Sequence, residues 1–222
     1  MHIVTEIMKK IIYNKFDKTE IHQLPVVEFQ GRIVVVYTEI EARKAVDFLL
    51  AQPILGFDTE TRPSFKKGSV HKVALMQVST PDTCFLFRLN QIHMTPDIIR
   101  LLEDTTVPKI GLSLNDDILS LHRNTEFTPG LFIDLQDHMR EIGIEDLSLQ
   151  KLYANLFRQR ISKNQRLTNW EAQILSDRQK IYAATDAWAC INIYREYLRL
   201  VQTGDYELVI IPEPDSQVSD IQ

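Results

Sequence analysis

The sequence predicts an α/β protein in which a central mixed β-sheet is flanked by helices. Short β-branched and apolar runs dominate the first half of the chain, whereas the second half is mostly helical in its pattern. Strand–helix units lie between these two parts, and this order of elements is typical of a sheet covered by helices. With 222 residues, the chain is long enough for one substantial domain and a short extension.

The N-terminal segment is interpreted as an extension of the domain, covering residues 1–25. Ile7, Ile11 and Ile12 have a rough helical spacing, with lysine-rich polar positions among them. The domain itself is assigned to residues 26–203, and residues 204–222 are assigned to a C-terminal tail. The tail contains a short apolar run, and its Pro-, Asp- and Ser-containing end is expected to be disordered.

The domain is predicted to begin with a strand and a helix. A β-branched run at residues 32–37 has the composition of a strand. Thr38 follows as a helix cap, and Glu41, three residues later, completes a capping box. The apolar positions of this helix predict an end near Pro53.

Four further segments have the pattern of strands. They are residues 54–60, 72–78, 83–87 and 108–112. A turn-forming cluster of Ser, Thr, Pro and Asp joins the second of these strands to the third. The short connection predicts an antiparallel meander within the sheet.

The later part of the chain is predicted to contain five helices. They are residues 96–104, 115–123, 134–142, 148–157 and 176–201. Asp134 and Asp177 stand at helix starts and are interpreted as acids of helix N-termini, where negative charge is favourable. Neither aspartate is counted among the candidate catalytic groups.

Composition and charge restrict the classes of function. A net charge of −5 and a pI of about 5.7 argue against a protein that binds nucleic acid through bulk positive charge. Two basic stretches without acids, residues 62–72 and 158–166, leave local patches available. No apolar run is long enough to span a bilayer, and the N-terminus lacks a secretory pattern, so no membrane partner is expected. Cys84 and Cys190 lie in apolar runs, which predicts buried free thiols and a cytoplasmic location.

Asp58 and Glu60 form the first of three motifs that indicate chemistry. They stand two positions apart on a predicted strand, so both carboxylates face the same side of the sheet. The apolar residues 54–57 lead into them, which puts the acids at the C-terminal end of the strand, where open α/β sheets bind ligands. An Asp-x-Glu pair is weak evidence by itself, because strand ends commonly carry solvated acids.

The second and third motifs lie on helices. A strand breaks at Gly111, a helix starts near Asn115, and Asp117 follows in the first turn, where capping acids are commoner than catalytic ones. In the last long helix, Tyr182 and Asp186 are four residues apart and therefore share one face. Small alanines beside this pair allow a close approach of the helix backbone. Each motif alone has a purely structural explanation.

Together the three motifs indicate a metal site. Four carboxylates that converge on a sheet edge repel one another strongly unless divalent cations neutralise them. Oxygen ligands without histidine or cysteine suit Mg²⁺ or Mn²⁺ and do not suit zinc. The sequence therefore predicts a site for two such cations, which would flank a phosphodiester bond.

The order and context of the motifs resemble the DEDDy family of 3′-5′ exonucleases. Its members include ribonuclease D, the proofreading domain of family A DNA polymerases and the Werner-syndrome helicase exonuclease domain. The resemblance is strongest to the Werner-type branch, through Arg62, the strand at 72–77 and Trp170. The sister DEDDh class has histidine five residues before its last aspartate, where this chain has Ile181. The resemblance covers about residues 26–200 and implies a ribonuclease H-like fold.

The resemblance also implies catalytic roles. The implied metal ligands are Asp58, Glu60, Asp117 and Asp186. Asp58 would bridge two cations, and Asp117 would act through a water; it is preferred to Asp116 because Leu121 stands at the family's spacing from it. Tyr182 would orient the attacking water, and the 3′-terminal nucleotide would leave as a 5′-monophosphate.

Substrate-binding residues are implied around the motifs. Thr61, Arg62 and the loop that follows them would hold the terminal nucleotide. Lys163 and Arg166 would contact phosphate or support the site. Trp170 would either stack on a base or belong to the core, and the sequence leaves these two alternatives open.

The expected partner is the 3′ end of a nucleic acid strand, single-stranded or at a recessed duplex end. The Werner-like features favour DNA, whereas the ribonuclease D side of the family acts on RNA. A non-catalytic binding module would be expected to have lost part of the carboxylate set, but all five motif positions are filled here. A transposase or resolvase on the same fold would lack the Tyr-x3-Asp helix motif. A helicase or repair partner acting in trans is left open.

Overall fold

The computed structural model describes residues 9–64 and 70–212. The strands in these ranges are β1 (Lys10–Tyr13), β2 (Val26–Val27), β3 (Arg32–Val36), β4 (Leu55–Thr61), β5 (Val73–Ser79), β6 (Thr83–Phe87), β7 (Lys109–Gly111), β8 (Phe132–Asp134), β9 (Arg160–Ile161) and β10 (Tyr206–Val209). The helices are α1 (Lys18–Ile21), α2 (Glu39–Leu49), α3 (Leu89–Ile92), α4 (Pro96–Glu103), α5 (Leu114–His122), α6 (Leu135–Glu141), α7 (Leu149–Phe157) and α8 (Asp177–Thr203).

A mixed six-stranded sheet forms the centre of the fold, with the strand order β3-β6-β5-β4-β7-β8. The pairs β4–β5 and β5–β6 are antiparallel, whereas β3–β6, β4–β7 and β7–β8 are parallel. The antiparallel meander and the mixed sheet predicted from the sequence are therefore confirmed.

The two faces of the sheet are covered by different helices, because side chains alternate along each strand. Phe57 and Val78 belong to a buried cluster that includes the apolar residues of α2 and α4. Leu75 and Leu86 belong to a second cluster that includes Ala183 of α8. A third cluster joins α6, α7 and the later half of α8. Helices thus flank the sheet on both sides, as the sequence predicts.

Local helix signals behave as the sequence predicts. The side chain of Thr38 accepts a hydrogen bond from the amide of Glu41, and the Glu41 carboxylate accepts one from the amide of Thr38. Ser176 caps α8, a helix of 27 residues, in the same reciprocal way with Gln179. These caps satisfy amides that have no partner within the helix.

The helical interpretation of the N-terminal segment is wrong for its described part. Ile11 and Ile12 lie in β1, which pairs in parallel with β10. Their exposure alternates as in a strand, since Ile12 is fully buried and Ile11 is 47% exposed. Ile7 lies outside the described residues. The apolar run of the C-terminal segment supplies the partner strand, which the sequence pattern did not identify.

The predictions on the cysteines, on membrane-spanning segments and on the division of the chain have different outcomes. Cys84 and Cys190 are buried free thiols, as expected. In the described ranges, no helix combines the length and hydropathy needed to cross a membrane. The division into an extension, a domain and a tail stays a prediction, and the expected disorder at the end of the tail concerns residues outside the described ranges.

Candidate active site

Three carboxylates from two elements meet on the face of the sheet that α8 covers. Asp58 and Glu60 lie on β4 and face the same side, and Asp186 comes from α8. One carboxylate oxygen of each lies within 4.8 Å of the others. Glu60 and Asp186 are 9% and 7% exposed, so these acids are largely removed from water. The predicted convergence of the first and third motifs is present.

A glycine lets α8 approach β4 closely enough to deliver Asp186. A Cβ atom at Gly56 would collide with the backbone carbonyl of Ala187. On the helix side, Ala183, Ala184 and Ala187 are fully buried and keep the contact surface flat. The alanines beside the third motif therefore have the packing role that the sequence suggests.

Tyr182 lies one helical turn before Asp186. Burial raises the pKa of the Asp186 carboxyl, and the nearby Tyr182 hydroxyl partly opposes this shift as a hydrogen-bond donor to the carboxylate. Burial first, and then the charges of Asp186 and Glu60, raise the pKa of Tyr182 well above its usual range. The phenol is therefore a stable hydrogen-bond donor at the edge of the acid cluster.

Asp117 reaches the same region from the first turn of α5. Its carboxylate accepts a hydrogen bond from the hydroxyl of Thr59, the residue between Asp58 and Glu60. Asp117 is half-buried, whereas its neighbour Asp116 is exposed. Asp117 is not one of the three acids whose oxygens lie within 4.8 Å, and its link to them in the structure is through Thr59 and through charge.

Burial and mutual repulsion make the cluster costly to ionise. The pKa of Asp58 is raised by burial and then by the charges of Asp117, Asp186 and Glu60. Burial and then the charges of Asp186 and Asp117 raise the pKa of Glu60 to about 9. The pKa values of Asp117 and Asp186 rise to about 7, in both cases chiefly because of burial. Without metal, protonation of the acids removes this repulsion. With divalent cations bound, the acids could stay ionised because the cations would neutralise their charge.

The donor set fits hard divalent cations. The grouped ligands are all carboxylates, and no His or Cys belongs to the acid cluster found among the described residues. Oxygen-only sites suit Mg²⁺ or Mn²⁺. A metal centre is thus supported by geometry, donor type and electrostatics, while the number and identity of the ions remain predictions.

Two of the predicted substrate-binding cations stand beside the acids. Lys163 and Arg166 line a cavity of about 490 Å³ together with Tyr182 and Asp186. The charge of Arg166 lowers the pKa of Glu60, and that of Lys163 lowers the pKa of Asp186, both against the dominant effect of burial. Both cations are exposed and near the site, which is where a phosphate group would meet them.

The other predicted substrate-binding residues have different surroundings. Thr61 is half-buried at the end of β4, directly after a bulge in its pairing with β5. Arg62 is exposed and forms an ion pair with Glu171 at 3.1 Å. Of the predicted loop at residues 62–67, residues 65–67 lie outside the described residues. Trp170 is fully buried and packs in the cluster of Ala183, so the alternative in which it stacks on a base is wrong and the core alternative is right.

Sequence reasoning missed two polar residues around the site. Asp134 caps α6 as predicted, accepting from the Gln136 amide, but it also accepts from the amides of Ser113 and Leu114 at the start of α5. It therefore fixes the helix that carries Asp117. Gln77 stands opposite Asp58 in the β4–β5 pair and is fully buried. A single polar residue within an otherwise apolar strand is the sequence feature that could have identified Gln77.

Comparisons with known proteins agree on one family. A family model described as 3′-5′ exonuclease matches residues 33–202. The chain is 30% identical over 191 residues to "Bifunctional 3′-5′ exonuclease/ATP-dependent helicase WRN" of Mus musculus, covering 82% of this chain and 14% of that protein. It is 28% identical over 201 residues to a "3′-5′ exonuclease" of Arabidopsis thaliana, covering 82% and 70%.

Solved structures show the same fold. The exonuclease domain of Aedes aegypti Nibbler superposes with a TM-score of 0.73 at 18% identity, covering 82% of this chain and 95% of that one. Escherichia coli RNase D superposes with a TM-score of 0.67 at 19% identity, covering 80% and 52%. The chain is also 34% identical over 153 residues, 67% of its length, to the "Exonuclease 3′-5′ domain-containing protein 2" of Drosophila melanogaster. It spans only 26% of that protein and 14% of the WRN protein.

Proposed function

This chain belongs to the 3′-5′ exonuclease family, and from that membership we propose that it removes nucleotides one at a time from the 3′ end of a nucleic acid strand. The preferred substrate is DNA, the cofactors are two divalent cations, Mg²⁺ or Mn²⁺, and the products are nucleoside 5′-monophosphates. The observation that carries the proposal is the group of Asp58, Glu60 and Asp186, whose oxygens lie within 4.8 Å of one another. Tyr182 stands beside this group.

Each motif residue has a specific role in this proposal. Asp58, Glu60 and Asp186 would hold the cations, and Asp117 would complete the site from α5. Divalent cations at such a site supply counter-charge for a phosphodiester and make a nearby water more acidic. The Tyr182 hydroxyl orients the attacking water. The water oxygen bonds to phosphorus and gives up a proton, the bond from phosphorus to the 3′ oxygen of the preceding nucleotide breaks, and that oxygen takes up a proton.

The residues around the acids would bind the substrate. Lys163 and Arg166 contact phosphate oxygens, because they are exposed cations in the cavity that ends at Asp186. Thr61 and Arg62 hold the terminal nucleotide at the end of β4. Arg62 first has to exchange Glu171 for the substrate, and an exposed ion pair of this kind is worth only about 0.2–1 kcal/mol.

The choice of DNA rests on sequence features and relatives. The Werner-like motif context favours DNA, and a "DNA polymerase I" of Aquifex aeolicus is among the relatives, at 27% identity over 165 residues. Exoribonuclease activity is the second candidate, and the fold shared with E. coli RNase D favours it. An enzyme that follows the backbone needs no base-reading residues, so neither substrate is excluded by their lack.

The test is degradation of matched 5′-labelled DNA and RNA strands with Mg²⁺ or Mn²⁺. Stepwise shortening of the labelled strand, abolished by EDTA, is the expected result, and the DNA-to-RNA rate ratio decides the substrate. Asp58→Asn should abolish the activity and Tyr182→Phe should reduce it strongly. Asp137→Asn is the matched control, because Asp137 is an exposed aspartate on α6.

Two results would change the proposal. Release of the label as a mononucleotide from the start, without a ladder, would indicate cleavage from the 5′ end, and labelled fragments from internal cuts would indicate an endonuclease. Binding of both strands without cleavage by either metal would favour a non-catalytic nucleic-acid-binding module. A helicase or repair protein acting in trans stays part of the proposal for a partner, and co-purification with the full chain would test it.

A further inference from the structure

Unpaired positive charge surrounds the cavity that leads to the acid cluster. Lys163 and Arg166 line this cavity with Asp186, yet within the described ranges neither forms an ion pair with a carboxylate. The beginning of α7, at Leu149 and Gln150, lines the same cavity. The cavity is therefore bounded by the segment after β9 on one side and by α7 on the other.

The N-terminal helix α1 and the residue Phe16 before it pack against α7. Phe16 and Ile21 form a small buried cluster with Ala154 of α7. The amide of Phe16 also donates to Asp146 at 2.8 Å, and Asp146 pairs with Lys151 of α7. The N-terminal segment is thus part of the folded surface beside the cavity.

Lys18 extends the positive charge of the cavity onto α1. It is the first residue of α1 and is exposed, and no carboxylate pairs with it in the part of the chain that the structure describes. Its charge, together with those of Arg166 and Lys151, lowers the pKa of Lys163 after the effect of burial. Lys151 is already paired with Asp146, whereas Lys18, Lys163 and Arg166 form no ion pair with a carboxylate of residues 9–64 or 70–212.

The cations of this cluster repel one another, and apart from the charge of the nearby acids at Lys163 and Arg166, no ion pair among the described residues offsets that repulsion. A ligand with negative charge would offset it. The chain as a whole is acidic, with a net charge of −5, which makes this cluster a local exception. Because it begins at the acids that would bind the terminal phosphodiester, the matching ligand is a row of phosphates. When the 3′ end of a strand lies in the acid cluster, the phosphates of the preceding nucleotides can contact this cation cluster.

We propose that Lys18, Lys163 and Arg166 form an upstream track that binds the sugar–phosphate backbone of the strand preceding the 3′-terminal nucleotide. The N-terminal segment is then a part of the substrate-binding surface. This inference rests on the proposed function, because the acid cluster fixes where the 3′ end lies. It adds a binding role for α1, a segment that the exonuclease motifs do not include.

The test measures equilibrium binding of fluorescently labelled single strands to the full chain in EDTA, where no cleavage occurs. A strand of about twelve nucleotides covers the acid cluster and the track, whereas a dinucleotide reaches only the cluster. Lys18→Glu should weaken binding of the long strand by roughly five- to tenfold and reduce the ratio of long-strand to dinucleotide affinity. The slope of log affinity against log salt should fall by about 0.7 for each phosphate that the variant no longer neutralises.

Lys44→Glu is the matched control. Lys44 is an exposed lysine of α2, on the opposite face of the sheet from α8, and the same charge change there should leave the long-strand affinity unchanged. An equal decrease in affinity for Lys18→Glu and Lys44→Glu would overturn the track, because bulk charge would then explain the effect. Unchanged long-strand affinity in Lys18→Glu would also overturn it. Absence of cleavage by the wild-type enzyme would contradict the proposed function while the binding result still decides the track.

Discussion

The indole ring of Trp170 lies against the phenol ring of Tyr182, with ring centroids 5.9 Å apart and an interplanar angle of 36°. Trp170 is fully buried, whereas the Tyr182 hydroxyl reaches the carboxylate of Asp186. The tryptophan therefore packs against the tyrosine ring on its buried side, and we expect it to hold the Tyr182 hydroxyl in position without itself reaching the acids.

Replacing Trp170 should affect both stability and turnover. Trp170→Ala should lower the free energy of unfolding by about 3–5 kcal/mol, because it leaves a large cavity. Trp170→Phe should cost less and keep the fold, while kcat falls more than KM changes because Tyr182 loses its support. Urea unfolding and steady-state kinetics measure the two effects. Trp188→Phe is the control, since Trp188 packs on Phe29 and Tyr153 instead; an equal fall in kcat there would contradict the specific role of Trp170.

Asp116 and Asp117 provide a test of the second motif with neighbouring residues. Asp117→Asn should lower kcat about a hundredfold or more, because Asp117 is half-buried, bonded to Thr59 and coupled by charge to Asp58. Asp116→Asn should stay within about threefold of the wild type, since Asp116 is exposed to solvent. Exonuclease assays on the same labelled strand make the comparison. A larger effect at Asp116 would show that the family spacing was assigned to the wrong residue.

What could be predicted from the sequence was mostly local. The Thr38–Glu41 capping box and the β4–β5–β6 meander depend on residues close in the chain, and both are present. The facing of Asp58 and Glu60 follows from strand alternation alone. Local rules therefore predicted the longer strands and helices, and strand alternation placed two of the acids on one face.

What could not be predicted depended on distant partners. The four residues of β1 are too few to separate strand from helix by spacing, and only pairing with β10, almost 200 positions later, decides the matter. The burial of Trp170 follows from how α8 packs on the sheet. The hydrogen bonds from Ser113 and Leu114 to Asp134 likewise join two segments whose contact the sequence does not reveal.

Gln77 is expected to tolerate an apolar substitution. Both atoms of its amide are buried, and neither has a hydrogen-bond partner among the described residues. Gln77→Met should therefore be neutral or stabilise the metal-free protein by up to about 2 kcal/mol, because an unsatisfied polar group is removed. Urea unfolding in EDTA measures the change.

Asn155 gives the matching contrast for Gln77. Asn155 is also buried, but its amide bonds the backbone N–H and carbonyl of Tyr13. Asn155→Leu should cost about 2 kcal/mol or more, since it leaves two backbone groups unpaired. A similar cost for Gln77→Met would mean that the Gln77 amide has a partner in solution, and the acid cluster beside it would be the first place to look for one.

The stability of the metal-free protein should fall as pH rises from about 5 to 8. In the folded state, the pKa values of Asp117 and Asp186 lie at about 7 and that of Glu60 at about 9, whereas the ordinary values are 3.8 for Asp and 4.5 for Glu. Between these values the folded state binds more protons than the unfolded state, so the free energy of unfolding decreases with rising pH. Cations need the ionised acids, so stabilisation by Mn²⁺ should be larger at pH 8 than at pH 5.

Thermal unfolding in EDTA and in Mn²⁺ at several pH values measures both effects. Asp186→Asn should flatten the pH dependence in EDTA and weaken the stabilisation by Mn²⁺, because one of the clustered acids is gone. Asp137→Asn should keep the wild-type behaviour, since Asp137 is exposed and paired with Arg140. Apart from Asp137 itself, groups outside the acid cluster are common to all three proteins, so their contribution to the pH dependence cancels in the comparison. A metal-free Tm that rises with pH, or an Asp186→Asn variant with the wild-type slope, would show that the acids are already ionised and separated in solution.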